Sequence, residues 1–223
     1  MSERADPEWF PPLEQALREP SGLLAAGGDL SPARLLAAYE RGVFPWYSAQ
    51  QPILWWAPDP RMVLFPGEFK LSRSLAKTLR SGHFECRLDS AFAATIRACA
   101  APRRSGADTW LNIDMIESYE ELHRLGYGHS VESWRGDQLV GGLYGLQLDR
   151  VFFGESMFSR ERDASKVALA HLVDQCRRRG IELIDCQIAS SHLASLGARE
   201  VPRNEFVRLL RRCARRVPSG RWA

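Results

Sequence analysis

Eight residues, Val151-Phe152-Phe153-Gly154-Glu155-Ser156-Met157-Phe158, set the narrowest limits on what this chain can become. Their aromatic and β-branched content is that of a strand, and Asp149-Arg150 supplies a polar turn before it. Side chains alternate across a strand, so Val151, Phe153, Glu155 and Met157 are expected on one face and Phe152, Gly154, Ser156 and Phe158 on the other. That puts a carboxylate on an otherwise apolar face, which costs free energy unless the group is paired or put to use. Gly154 in mid-strand marks a bulge or a close approach of backbone or ligand.

A second strand, Leu183 to Ile188, has the same mixed character: Leu183, Asp185 and Gln187 on one face, Ile184, Cys186 and Ile188 on the other. A helix-length segment from Asp163 to about Arg179 joins the two, which makes a strand–helix–strand unit with parallel strands. Glu155, Asp185 and Gln187 then lie on neighbouring strands. Any one of them is equally well explained as a satisfied polar group at a strand end. Three in one unit, flanked by apolar residues, read as a site. Cys186 falls on the apolar side and reads as core.

Before this unit come strands at Ser130–Trp134 and Gln138–Gln147, so that 130–158 is a three-strand meander with short polar turns. Further upstream, Arg61–Phe65 and His83–Leu88 read as strands. Helices are expected after Ser72, after Asp89 or Ser90, from about Asn112, and finally from Pro202. Residues 1–30 are broken by Pro and Gly and read as irregular, followed by a helix opened by Ser31-Pro32 with Leu35, Leu36 and Tyr39 inside. The expected fold is α+β, and 223 residues suit one large domain or two small ones.

Charge points to a polyanionic partner without proving one. The net charge is only +3, yet of 30 basic residues only Lys70, Lys77 and Lys166 are lysine. Arginine's planar fork suits phosphate as well as carboxylate. Lys70, Arg73, Lys77 and Arg80 form one basic run, and the helix after Pro202 carries Arg203, Arg208, Arg211, Arg212, Arg215 and Arg216. Such runs are usually solvated faces, and a phosphate-binding surface is the rival reading. Trp46, Trp55 and Trp56 fall within eleven residues. Composition alone favours a small aromatic core there over a surface on which bases stack. Five cysteines without a C-x-x-C pair, and His123 and His129 without metal-ligand spacing, give no disulfide framework, no metal site and two structural histidines as the expectation. The polar, acidic first residues do not read as a signal peptide, and no apolar run approaches the roughly 20 residues of a bilayer span. The expected location is the cytoplasm, with no membrane contact.

The order of elements from residue 61 is similar to the GCN5-related N-acetyltransferase fold, in which the fourth and fifth strands part to admit the acyl donor. The glycine-rich turn that holds the pyrophosphate of coenzyme A in that fold is replaced here by Ser159-Arg160-Glu161-Arg162-Asp163-Ala164, so coenzyme A is not expected. Five strings go further. Gly22-Leu23-Leu24-Ala25-Ala26-Gly27-Gly28-Asp29-Leu30, Phe44-Pro45-Trp46, Trp55-Trp56-Ala57-Pro58-Asp59-Pro60-Arg61, Phe153-Gly154-Glu155-Ser156-Met157-Phe158 and Asp185-Cys186-Gln187 resemble the bacterial leucyl/phenylalanyl-tRNA–protein transferases.

That resemblance, over residues 10–217, implies transfer of leucine or phenylalanine, less often methionine, from aminoacyl-tRNA to the α-amine of proteins beginning with Arg or Lys, which marks them for degradation. It implies a monomer that uses no cofactor and no metal, built as a small N-terminal domain over 1–60 and an acetyltransferase-like domain over 61–223 with a mixed central sheet. It also implies roles. Trp46 would stack on the terminal adenine with Trp110 as a wall. Phe153, Met157, Ile184 and Leu143 would line the aminoacyl pocket. Lys70, Arg73, Lys77 and Arg80 would meet tRNA phosphates. Asp185, Gln187 and Glu155 would carry the chemistry. Leu143 and Leu172 replace the methionine and phenylalanine of other members, which reshapes the pocket. A small-molecule acyltransferase and a non-catalytic tRNA-binding module stand as the two rival functions.

Overall fold

The computed structural model describes residues 8–101 and 111–222. One strand of the first sheet lies in the segment expected to be irregular. β1 (Leu23–Ala26) is followed by α1 (Pro32–Glu40), whose N-cap Ser31 side chain accepts from the Arg34 amide, and then by β2 (Phe44–Pro45) and β3 (Leu54–Trp56). The three strands pair antiparallel in the order β1-β3-β2. Pro and Gly break the local pattern, but burial of Trp55 against Phe10 and the bond from its Nε1 to the Gly27 carbonyl hold the short strands together.

The second sheet has seven strands. β4 (Arg61–Leu64), α2 (Arg73–Arg80), β5 (Glu85–Leu88), α3 (Phe92–Ala100) and α4 (Ile113–Arg124) lead into the meander of β6 (Gly128–Arg135), β7 (Gln138–Leu148) and β8 (Val151–Ser159). α5 (Ala164–Arg179) crosses over to β9 (Leu183–Gln187), and α6 (Ser191–Ser195), β10 (Arg199–Val201) and α7 (Arg203–Cys213) close the order. The strand order is β10-β4-β9-β8-β7-β6-β5, with β8 and β9 parallel and every other pair antiparallel. This is the mixed sheet and the acetyltransferase-like order expected from the sequence.

Each face of the sheet has its own core. On one side Phe153, Leu146, Leu148 and Val151 pack with α1, α3, α4 and α7. On the other, Phe152, Leu143 and Ile184 pack with α5 and α2. Two local expectations fail for a shared reason. α3 has no side-chain cap of its own: the Glu132 carboxylate on β6 accepts from the Ser90 and Ala91 amides, while Asp89 accepts from the Ser130 and Trp222 amides instead. Asp163 adopts a left-handed backbone and pairs with Lys166 without capping α5. In both cases a tertiary partner or local geometry replaces the cap that sequence order implied. His129, read as structural, is buried between Asp89 and Ser219 and stacks on Trp222.

Candidate active site

The site lies where the parallel pair comes apart. β8 and β9 are in register only over Val151–Leu183, Phe152–Ile184 and Phe153–Asp185. Beyond Phe153 the strands separate, and the gap between them is a cavity of about 270 Å³. Leu143, Met157, Leu169, Leu172, Ile184 and Leu193 supply its apolar wall, and Glu155, Asp185 and Gln187 its polar end.

A bulge decides which side chains reach it. Opposite β7, the register runs Leu143–Met157 and Tyr144–Ser156, then jumps to Gly145–Gly154. Glu155 is the extra residue, so alternation is reset at that point. Met157 therefore faces α5 and the cavity beside Leu143, while Phe153 stays in the opposite core against Tyr39, ring centroids 5.0 Å apart. Phe153 and Met157 do not share a face as strict alternation implied, and Phe153 is not part of the cavity wall. Gly145 is required here: a Cβ would sit 2.1 Å from the Phe153 carbonyl oxygen. Gly154, expected to mark a bulge, borders this one.

Glu155 is buried and held from three elements. The Tyr39 hydroxyl on α1 lies 2.7 Å from its Oε1 and the Tyr119 hydroxyl on α4 2.9 Å from its Oε2, and Gln187 Nε2 on β9 donates to Oε1 at 2.8 Å. The two tyrosine hydroxyls are themselves 2.5 Å apart. Burial pushes the carboxyl up to about 7, against the lowering pull of the two tyrosines. The same burial holds both phenols well above their ordinary range, with the Glu155 charge adding to it.

Asp185 is wholly buried and already engaged. Arg61 donates to it through Nε at 2.8 Å and Nη2 at 2.6 Å, a bidentate pair of low exposure on both sides. The remaining Arg61 nitrogen donates to the Gly42 carbonyl, and the guanidinium lies between the Phe44 and Phe206 rings at 4.6 and 4.8 Å. Asp185 Oδ1 also accepts from the Gln187 amide at 2.9 Å. That bond holds Gln187 in a left-handed conformation (φ 62°), unusual for a residue other than glycine, which turns its side chain toward Glu155. Ile188 consequently leaves the strand and is exposed. Cys186, read as core, packs partly buried against the core on the α5 side and also borders the cavity, its thiol raised well above the usual range by burial.

The other expected residues fall in two groups. Trp46 is 40% exposed on the small sheet and leans on Trp56, whose Nε1 donates to the Trp46 carbonyl. Trp55 is core, so the tryptophan group divides between the two readings. Trp110 lies outside the described residues. Arg73, Lys77 and Arg80 recur on α2 at spacings that form one stripe, with Lys70 just before it; all four are exposed, and none makes an ion pair among the described residues. The C-terminal arginines are mixed: on the last helix Arg212 pairs with Glu182 and Arg203 donates to the Ala57 carbonyl, and beyond its end Arg216 pairs with Glu8 and Glu40, while Arg208, Arg211 and Arg215 are exposed.

Sequence reasoning missed Arg61, Tyr39 and Tyr119. Arg61 was the opening residue of a strand, and both tyrosines sat on apolar helix faces. The signal available was Glu155 itself, since a buried carboxylate demands donors.

Comparison with known proteins follows the same lines. The family model described as leucyl/phenylalanyl-tRNA protein transferase matches residues 63–211, and the model of that family's N-terminal domain matches 28–59. The chain is 58% identical over 214 residues to the leucyl/phenylalanyl-tRNA–protein transferase of Nitrosospira multiformis, covering 96% of this chain and 92% of that one. It is 59% identical over 215 residues to the protein of the same name from Aromatoleum aromaticum, covering 96% and 91%. A GCN5-related N-acetyltransferase from Kribbella flavida is similar in structure at a TM-score of 0.39 and 12% identity, over 77% of this chain and 61% of that one.

Proposed function

The chain belongs to the leucyl/phenylalanyl-tRNA–protein transferase family and is an aminoacyltransferase; from that premise we propose that it joins leucine or phenylalanine to its acceptor in the cavity between β8 and β9. The observation that carries this is the adjacency in one gap of an apolar pocket and the Glu155–Gln187 pair. The acceptor is the α-amine of a protein beginning with Arg or Lys, and the product is marked for degradation. Methionine is the weaker donor side chain. The enzyme works in the cytoplasm as a monomer; among the described residues no helix is long and apolar enough to cross a membrane.

An aminoacyl ester is already activated, so the protein's task is to align two substrates and manage one proton. The aminoacyl side chain enters the apolar wall formed by Leu143, Met157 and Ile184. Trp46 stacks on the terminal adenine, Trp110 forms a further wall of that subsite, and Lys70, Arg73, Lys77 and Arg80 meet phosphates. The acceptor nitrogen attacks the ester carbonyl, and the Gln187 amide oxygen accepts a hydrogen bond from that nitrogen while Nε2 stays on Glu155. Phe153 supports the site from the core behind it. Asp185 acts through Gln187: its carboxylate, held by Arg61, fixes the Gln187 backbone. The division near residue 60 is our reading of the chain's two parts, supported by the separate sheets and by family matches that end at 59 and resume at 63.

The test is transfer of labelled leucine from charged tRNA to a peptide beginning with Arg, in single turnover with saturating charged tRNA. Gln187→Ala and Glu155→Ala should retain tRNA binding and lose roughly 10²–10⁴ in rate. Wild-type transfer rates in both variants would remove them from the chemistry.

A further inference from the structure

Counting protons around Glu155 exposes a shortfall. Three side chains, with four oxygens between them, form a closed ring: Glu155 Oε1 with Tyr39 at 2.7 Å, Glu155 Oε2 with Tyr119 at 2.9 Å, and Tyr39 with Tyr119 at 2.5 Å. Each short contact between oxygens holds one proton, because two lone pairs facing each other at that distance repel. Two phenols bring two protons. An ionised Glu155 consumes both, which leaves the shortest contact of the three, between the tyrosines, with none. One more proton closes the set.

From this geometry we infer that Glu155 enters the reaction as a neutral acid, its proton held in a ring with Tyr39 and Tyr119, which are positioning residues for the transfer. The direction around the ring is fixed by Gln187, which donates to Oε1. Oε1 is thereby the acceptor oxygen and Oε2 carries the proton. Glu155 Oε2 donates to Tyr119, Tyr119 to Tyr39, and Tyr39 back to Oε1. Every polar atom in the ring is then satisfied.

The surroundings agree with a neutral group. Glu155 faces Tyr39 from α1, Tyr119 from α4, Gln187 and Asp185 from β9, and Tyr144 from β7. The nearby negative charge, Asp185, is bound by Arg61, so no cation is left over to offset a second anion. Tyr144 has a buried hydroxyl with no hydrogen-bond partner among the described residues, so it supplies Glu155 with no further donor.

The inference rests on the transferase reading and specifies its proton step. In the transfer the acceptor nitrogen forms a bond to the ester carbonyl carbon, and the bond from that carbon to the ribose oxygen breaks. The nitrogen loses one proton and the ribose oxygen gains one. A neutral Glu155 gives its proton toward the leaving oxygen and regains one from the nitrogen, so that the ring is restored at the end of each turnover. The glutamate thus serves as a proton carrier.

The experiment is infrared spectroscopy of the full-length protein without tRNA, wild type against Glu155→Gln, from about pH 5 to pH 9, a range above the ordinary glutamate titration near 4.3. Wild type should show the carbonyl stretch of a protonated carboxyl at pH 6 that Glu155→Gln lacks and that fades through neutrality. Tyr119→Phe removes the acceptor of that proton and should shift the band. Tyr39→Phe opens the ring and should move its pH midpoint, and the alkaline limb of single-turnover transfer should move with it. Absence of the band above pH 5, or bands and midpoints unchanged in both folded phenylalanine variants, overturns the ring. Neither result touches the transferase reading, which fails only if wild type does not transfer leucine from charged tRNA.

Discussion

Arg61→Met is the substitution that tests most directly how the site is held. The guanidinium makes two bonds to Asp185 and one to the Gly42 carbonyl, and both charged side chains are almost completely shielded from water. Methionine fills similar volume between Phe44 and Phe206 but leaves Asp185 with the Gln187 amide as its remaining donor. Removing one partner of a buried ion pair costs about 3–5 kcal/mol, because the other charge stays buried. Against a typical total of about 5–15 kcal/mol, that is about a fifth or more of the stability. The urea midpoint of Arg61→Met should fall accordingly. The double variant Arg61→Met/Asp185→Asn should recover much of the loss, since the stranded charge is gone, so that the two single costs do not add. A loss below about 1 kcal/mol in the single variant, or strict additivity in the double, would refute the reasoning; either would mean that Asp185 finds another partner or takes up a proton.

Three further outcomes follow from the same geometry. Trp46→Ala should weaken tRNA binding by about 1–3 kcal/mol and leave the urea midpoint unmoved, because the ring is already partly in water; unfolding would return it to the core. Charge reversal at Arg73 and Lys77 should weaken tRNA binding more than reversal at Arg211 and Arg215, and should flatten the dependence of affinity on salt measured by filter binding. Glu155 should make the fold less stable as pH rises: its carboxyl titrates near 7 when folded and near 4.5 when unfolded, so the unfolded chain loses the proton first. Stability is full below 4.5 and declines by about 3 kcal/mol through pH 7, and Glu155→Gln, followed by urea titration at several pH values, should abolish that part of the slope.

What could be read from the sequence was whatever depends on short range. The meander, the crossover helix and the parallel pair follow from periodicity and turn chemistry, and the juxtaposition of Glu155, Asp185 and Gln187 follows from the unit they form. On β8 alternation failed at Glu155, because Gly154 signals a bulge but the extra residue cannot be placed until the partner strand is known. That one bulge sends Met157 to the cavity and keeps Phe153 in the core. The partners of the two carboxylates were hidden for a different reason. Tyr39 lies 116 residues before Glu155, and Arg61 lies 124 before Asp185. Nothing local distinguishes a tyrosine that fills a core from one that donates into it.

Those separations have a consequence for the ribosome. Tyr39, Arg61, Tyr119 and Glu155 are all synthesised before Gln187, which completes the polar end of the cavity. At about 5–20 residues per second, translation takes roughly 7–30 seconds to pass from the first of these groups to the last. Only over the last 32 residues of that interval does the nascent chain carry the glutamate, both phenols and the arginine together, with Gln187 still to be made. Under the proposed mechanism no fragment ending before Gln187 transfers an amino acid, so activity begins only when β9 joins the sheet. The first turnover is therefore a clock for the completion of folding, and its delay after synthesis measures how long the last strand takes to find its place.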